Sequence, residues 1–239
     1  MDLIKLLGQL DIKADWVGLR YVNESTTYRW VRDGHPQAND RSSSKGLMVE
    51  VLVDGQFAYY ATSRLDIESV QAAATTAVSM AKAAAPFSIH KFTEQARPVA
   101  TGNYHSPYQQ AENSLSAGDI NGLLVKSCEA LKVSEKIVST NALARIVNSH
   151  HLYVSSNGSN VEQQFLIVTT GSMAVAQDGP IVQKRSDSGM QARSWQTGLE
   201  SLEENRLLED SVRVGEEAVE LLSAEECPSA NMDLLLAPD

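Results

Sequence analysis

Five histidines, at positions 35, 90, 105, 150 and 151, are the first residues to weigh for chemistry in this sequence. Two imidazoles on one helix face, as in HExxH, bind zinc and leave a glutamate to activate its water. No pair here has that spacing. His150 and His151 are adjacent, and neighbouring side chains on a strand point to opposite sides, so they are expected at a turn or strand end and not as a metal site. Ser42 and Lys45, in RSSSKG, have the S-x-x-K spacing that on a helix lets a lysine activate a serine. They lie in a polar stretch without the accompanying motifs, and the spacing is read as coincidence. No GxSxG elbow, GxxxxGK loop or GxGxxG fingerprint occurs. Cys128 and Cys227 are too few for a disulfide framework and form no CxxC. Cys128 shares a helical face with Leu124 and Leu131 and reads as a buried thiol, while Cys227 precedes Pro228 in a loop. Glu203, Glu204 and Asp210 fit the solvated face of a helix. Asn157-Gly158-Ser159 and Asn23-Glu24-Ser25 match a glycosylation acceptor pattern, but the N-terminus does not read as a signal peptide. No residue is assigned a catalytic, cofactor-binding or metal-binding role.

The chain that must position any such residues has 239 amino acids, enough for one large domain or two small ones. Hydrophobic residues make up 43% and charged residues 21%, the balance of a folded globular protein. The N-terminal MDLIKLLGQLDIKAD reads as a short packing helix, because acidic residues flank its leucines and no cleavage site follows. No run of about 18 apolar residues is present, so no membrane span is expected and the protein is placed in the cytoplasm. The net charge is -10, with acidic residues concentrated between Glu200 and Glu226, and no basic face is visible for phosphates. Direct nucleic-acid binding is therefore not expected.

The elements follow from periodicity. WVGLRYV (16–22) and TTYRWVR (26–32) read as strands, and DGHPQANDRSSSK (33–45) as an exposed loop. Two β-like runs, 47–53 and 56–62, flank Asp54-Gly55, the dipeptide of a tight type I′ turn. Asp66 caps a helix through Ala85, with Ile67, Val70, Ala74, Ala77, Val78 and Ala81 on its apolar stripe and Pro86 ending it. Residues 87–116 show little periodicity and mark the boundary between two subregions, a long connection of the kind that is often functional or mobile. A helix over 117–133 presents Ile120, Leu123, Leu124, Cys128 and Leu131. Strand patterns return in KIVSTNALARIVNS, HHLYVSS and NVEQQFLIVTTGSMAVAQ, punctuated by Asn157-Gly158 and Asp178-Gly179. A long helix over 199–224 would bury Leu202, Leu208, Val212, Val219 and Leu222. The apolar run Met232–Ala237 has the character of a new strand. Strands grouped between helices predict an α+β fold of mostly antiparallel sheets built from hairpins and packed against long amphipathic helices.

Several segments, in this order, resemble the TldD/PmbA family, also known as modulators of DNA gyrase. They are ADWVGLRYVNES, GLMVEVLVDGQFAYYATSRLD with its alanine-rich helix, HHLYVSSNGSNVEQQ, the long acidic helix and MDLLLAPD. The resemblance runs from about residue 14 to the end and rests on pattern and order, since none of these stretches is a catalytic motif. It implies residues 1–100 as a first α+β region, 101–228 as a second, and 229–239 as the first strand of a C-terminal catalytic-type domain. In TldD-type members an HExxxH motif shortly after such a strand binds zinc, with the glutamate activating the bound water, and the partner of PmbA (TldE) type lacks the metal. The resemblance thus implies a non-catalytic N-terminal part of a zinc metallopeptidase that degrades or processes unfolded peptides, as a homo- or heterodimer, with the zinc in the C-terminal domain. A metal-free partner subunit and a stand-alone peptide-binding adaptor are the alternatives.

Overall fold

The computed structural model describes residues 2–187, 193–225 and 229–235. Cys227 and Pro228, and the residues 236–239 that end the last apolar run, lie outside them. The chain order is α1 (Leu3–Gly8), β1 (Trp16–Arg32), β2 (His35–Val53), β3 (Gln56–Thr62), α2 (Ile67–Ala84), β4 (Thr101–His105), α3 (Ala117–Leu131), β5 (Ile137–Ser155), β6 (Asn160–Asp178), β7 (Ile181–Ser186), β8 (Arg193–Trp195) and α4 (Glu204–Glu220). The strands form one sheet in the order β3-β2-β1-β5-β6-β4, with β7 and β8 also paired to β6. Hairpins make the sheet mostly antiparallel and β4 joins it in parallel, so the fold is α+β as expected.

Two compact units divide the chain: one takes residues 1–25, 43–105 and 148–165, the other 26–42, 106–147 and 166–239. In the first unit α1 and α2 cover one face of the strands. Val17 and Leu19 of β1, Leu47, Val49, Val51 and Val53 of β2, and Val154 of β5 meet Leu3, Leu6 and Val70. Ala73, Ala74, Ala77 and Ala81 are almost fully buried, and side chains this small let the α2 backbone lie close against the strands. Asp66 caps α2 by accepting from the Ser69 amide at 2.9 Å.

In the second unit α3 and α4 supply the cover. Ile120, Leu124 and Cys128 pack with Val31, Ala142, Ala144, Ile146, Leu166, Val168, Leu199 and Leu202. Leu131, Ile137, Ala174, Ala176, Val214 and Ala218 form an adjoining cluster. A reciprocal capping box between Ser116 and Asp119 starts α3, and the Glu203 carboxylate starts α4 by accepting from the Asn205 and Arg206 amides.

Several expectations change. Residues 35–45 are not a loop: they are the first half of β2, and the turn is Asp33-Gly34, whose φ values of 49° and 78° are both positive, as at Asp54-Gly55 (54° and 82°). This stretch has no apolar period because almost every residue in it is exposed, so its pairing rests on backbone hydrogen bonds that composition does not report. The pairs of runs expected at 16–22 and 26–32, and at 136–149 and 150–156, are each one continuous strand. A 3-10 turn, Ala85–Phe87, leads into 87–116, within which the chain forms a second 3-10 turn, Glu94–Ala96, and β4. The expected helix over 199–224 is a 3-10 turn, α4 and a second 3-10 turn. Leu202 is buried and Val219 and Leu222 pack against the core as expected, while Val212 is exposed and the most buried positions of α4 are Ser211, Val214, Gly215 and Ala218, where small residues admit the neighbouring helix. Residues 229–235 carry no strand, and Leu234 and Leu235 are exposed.

Gly215 marks where α4 meets the end of α3: a Cβ there would lie 2.4 Å from the Leu131 carbonyl oxygen. Elsewhere in a helix, Gly→Ala is stabilising by about 1 kcal/mol. Here overpacking against backbone reverses the sign, and Gly215→Ala is expected to destabilise by about 1–3 kcal/mol, read as a lower urea midpoint with unchanged slope.

Candidate functional site

The two-residue period that buries one face of the first unit's strands turns the alternate side chains to its other face. On β1 these are Trp16, Gly18, Arg20 and Glu24; on β2, Glu50; on β5, Ser149, His151, Tyr153 and Ser155; on β6, Val161, Gln163 and Phe165. Of these, Trp16, Glu50, Ser149 and Ser155 are buried, and Arg20 is exposed.

One margin of this face is held by the segment before β4. Glu50 is only 5% exposed, and its carboxylate accepts from the Arg97 guanidinium at 2.6 Å. That pairing raises the pKa of Arg97 above its ordinary value. Arg97 also lies over the Phe57 ring, 4.6 Å from its centroid, and Phe57 packs against Trp16 and Phe92. The Trp16 indole donates to Asn157 Oδ1 at 3.1 Å, and Asn157 Nδ2 donates to the Arg97 carbonyl at 2.9 Å. The indole ring lies over Gly18, where a Cβ would come within 2.5 Å of it. The Asn157-Gly158 turn is thereby tied to the segment carrying Arg97.

At the centre, Arg20, His151, Tyr153, Val161 and Gln163 line a cavity of about 240 Å³. The Arg20 guanidinium sits 5.8 Å from the Tyr153 ring centroid. His151 Nε2 is 2.7 Å from Ser149 Oγ, and the edge of its ring meets Phe165, which in turn packs on Tyr104 of β4. Burial pulls the His151 pKa below its ordinary value, partly opposed by the field of Glu24, so the ring is neutral at pH 7. Burial and the charge of Glu50 push the Tyr153 phenol up, keeping it a hydrogen-bond donor.

The other candidates from the sequence are dispersed. His150 pairs with Glu162 at 2.8 Å, His35 Nδ1 with the Asp33 carbonyl at 2.8 Å, and His90 meets Phe92 edge-on. His105 ends β4. Among the described residues no group of three or more His, Cys, Asp or Glu side chains could hold a metal. Ser42 and Lys45 are exposed strand residues, so the helix that S-x-x-K chemistry needs is not there. Cys128 is buried as expected, donates weakly to the Val31 carbonyl at 3.7 Å, and has its thiol pKa raised by burial. Glu203 is exposed and Glu204 and Asp210 are half-buried; Glu203 also caps α4, Glu204 holds Lys126 at 2.5 Å and Asp210 holds Arg213 at 3.3 Å. Sequence reading missed Arg20, Glu50 and Arg97. The one signal available was a lone charged residue at the solvent parity of an otherwise apolar strand.

Two outcomes test this geometry. Arg97→Ala strands the Glu50 carboxylate, and with Arg97 itself 41% exposed the cost falls from that of a fully buried pair to about 2 kcal/mol in unfolding free energy. For His151, the folded pKa lies below the unfolded one, so its contribution is fully present above about pH 6.5 and is lost as pH falls through the folded value. His151→Gln is expected to flatten the fall in urea midpoint between pH 7 and pH 5 relative to wild type.

Residues 17–81 match the PmbA/TldA metallopeptidase domain 1, and residues 111–224 match the PmbA/TldA metallopeptidase central domain. A comparison with curated proteins finds no match. Among solved structures, the chain is similar to a Thermotoga maritima protein described as a modulator of a DNA gyrase, at 18% identity and a TM-score of 0.70, over 90% of this chain and 46% of that one. A Bacteroides thetaiotaomicron protein described in the same way gives 17% identity and a TM-score of 0.67, over 91% of this chain and 46% of that one. TldE from Thermococcus kodakarensis gives 13% identity and a TM-score of 0.57, over 86% and 44%. These likenesses show the fold, and the chain spans less than half the length of each of these proteins. With its β-rich first region and its helix-covered second region each matched by a domain of one family in the family's order, the chain belongs to the PmbA/TldD metallopeptidase family.

Proposed function

We propose that this chain is the non-catalytic N-terminal part of a PmbA/TldD-type metallopeptidase subunit, where it holds unfolded, extended peptide for a zinc-bearing domain elsewhere in the whole protein. The observation that carries this reading is the pair of matches, to the first and the central domain of a metallopeptidase family. The residues present do not fit a zinc site themselves. The adjacent His150 and His151 are committed to Glu162 and Ser149, and no third ligand joins them among the described residues. Hydrolysis is therefore not assigned to any residue here. On this reading residues 1–100 and 101–228 are two non-catalytic regions, and 229–239 lead into a C-terminal catalytic-type domain that carries the zinc.

The fold offers a physical means of holding peptide. β3 and β4 end the strand order, so each has an edge that no described strand pairs, and all five residues of β4 are exposed. An extended peptide added at such an edge gains main-chain hydrogen bonds that do not depend on its side chains, which suits a substrate class defined by being unfolded. The protein then acts in the cytoplasm as a homo- or heterodimer with another subunit of the family. A net charge of -10 weighs against direct nucleic-acid contact, and no described helix is long and apolar enough to cross a membrane.

The likeness to TldE supports a second reading, in which the parent is the metal-free partner and the same surface guides peptide without cleaving it. Zinc content separates the two when measured on this chain beside a version extended by a further domain: zinc and peptidase activity confined to the extended protein support the first. The peptide-holding role has its own test. Methylating alternate backbone amides of an unstructured peptide removes several main-chain hydrogen bonds, each worth about 0.5–1.5 kcal/mol, so binding is expected to weaken by about tenfold or more. Equal binding of methylated and unmodified peptides would sink the strand-addition role.

A further inference from the structure

Arg20 stands apart from the other arginines of the first unit. Arg64 and Arg97 each hold a carboxylate, whereas the Arg20 guanidinium makes no hydrogen bond or ion pair with any described residue. It faces a cavity of about 240 Å³ whose other walls are His151, Tyr153, Val161 and Gln163. Among the described residues no carboxylate lines that cavity. Of the acids whose fields reach this face, Glu50 is neutralised by Arg97 at 2.6 Å, and Glu24 acts on His151 from outside the lining. A guanidinium carries five N–H donors and no acceptor, the Gln163 amide adds donors, and the Tyr153 phenol adds one more. The cavity is thus rich in donors, carries one uncompensated positive charge and has an apolar wall at Val161. It is smaller than the roughly 300–1,000 Å³ of a drug-sized site and suits a single residue of a chain.

We propose that this cavity is a subsite for a carboxylate of a bound peptide, taken by the Arg20 fork with Gln163 and Tyr153 as further donors. Planar carboxylates match the guanidinium in a bidentate way that a lysine cannot reproduce. The carboxylate is either the α-carboxylate at the end of a peptide or an aspartate or glutamate side chain within it. In a chain of net charge -10, a cation left unpaired on the open face of the sheet selects an anionic feature of a ligand that main-chain pairing alone would not distinguish. The proposal rests on the peptide-holding reading and adds a specificity to it.

The test uses the 239-residue chain and three probes: N-acetyl-tetra-alanine with a free carboxylate, the same peptide as its amide, and an acetylated, amidated tetrapeptide with one glutamate. Affinities are read by calorimetry or chemical-shift titration against wild type, Arg20→Gln and Arg20→Lys. Arg20 is exposed, so Arg20→Gln keeps the fold, which an unchanged urea midpoint verifies. At least one carboxylate-bearing probe is expected to bind about tenfold or more tighter than the neutral amide, an advantage lost in Arg20→Gln and only partly restored by lysine. Preference for the free acid identifies the terminal carboxylate, and preference for the glutamate peptide identifies a side chain. If the neutral amide binds wild type as tightly as both acids, or Arg20→Gln keeps the preference, the subsite is overturned while the peptide-holding reading stands. If none of the three probes binds, both fail.

Discussion

A strand turns each successive side chain to the opposite side, and these long strands keep that period where one side must stay dry. Along β6 the side chains of Leu166, Val168, Thr170, Ser172, Ala174 and Ala176 are buried, and those between them are partly exposed. A slip of one residue in pairing would exchange the two sets and expose the whole core face. The tight turns hold the register: Asp33-Gly34 and Asp54-Gly55 supply the consecutive positive φ values that a two-residue hairpin connection requires. The helices, the ion pairs and the candidate site all depend on this alternation, because it decides which side chains can meet a helix and which are left for something else.

The dry side is built from small or branched residues because helices must come close to it. In the first unit the alanines of α2 lie against β-branched valines; in the second, Gly215 lets α4 reach the backbone at the end of α3. Burying a valine or leucine side chain is worth about 1.5–3 kcal/mol, and such contacts are made only when registry and helix spacing are both right. The caps at Asp66, Ser116 and Glu203 fix where each helix begins, so its apolar stripe starts in phase with the strands beneath it.

The open side of the first unit follows a different logic. Charges are placed there in two states: Glu50 buried and satisfied by Arg97, and Arg20 exposed and unsatisfied. The first organises, fastening the segment before β4 and the Asn157 turn around Trp16 and Phe57. The second is available. A neutral His151 and a protonated Tyr153 leave the positive charge of Arg20 as the dominant one lining the cavity at neutral pH.

Much of this was legible in the residues. The α+β class, the Asp54-Gly55 turn, α2 and α3, and the buried state of Cys128 all follow from local patterns that reflect local physics: turn stereochemistry, capping and the 3.6-residue period; the turn expected at Asp178-Gly179 lies one residue on, at Gly179-Pro180, with Asp178 still paired in β6. The family resemblance was carried by segment order. Features that needed partners were not legible. Residues 35–45 look like a loop because their strand character comes from backbone pairing, which side-chain composition does not encode. On α4 the expected Val219 and Leu222 do pack against the core, but Ser211 and Gly215 were not legible as inner residues, because the position of α3, and not hydrophobicity, puts them there. The cavity around Arg20 joins side chains more than a hundred residues apart in sequence, from three strands. Local sequence patterns determined most of the strands and helices; tertiary pairing decided that residues 35–45 are a strand, and which charges meet a counter-ion and which are left open, because both depend on neighbours brought together across the sheet.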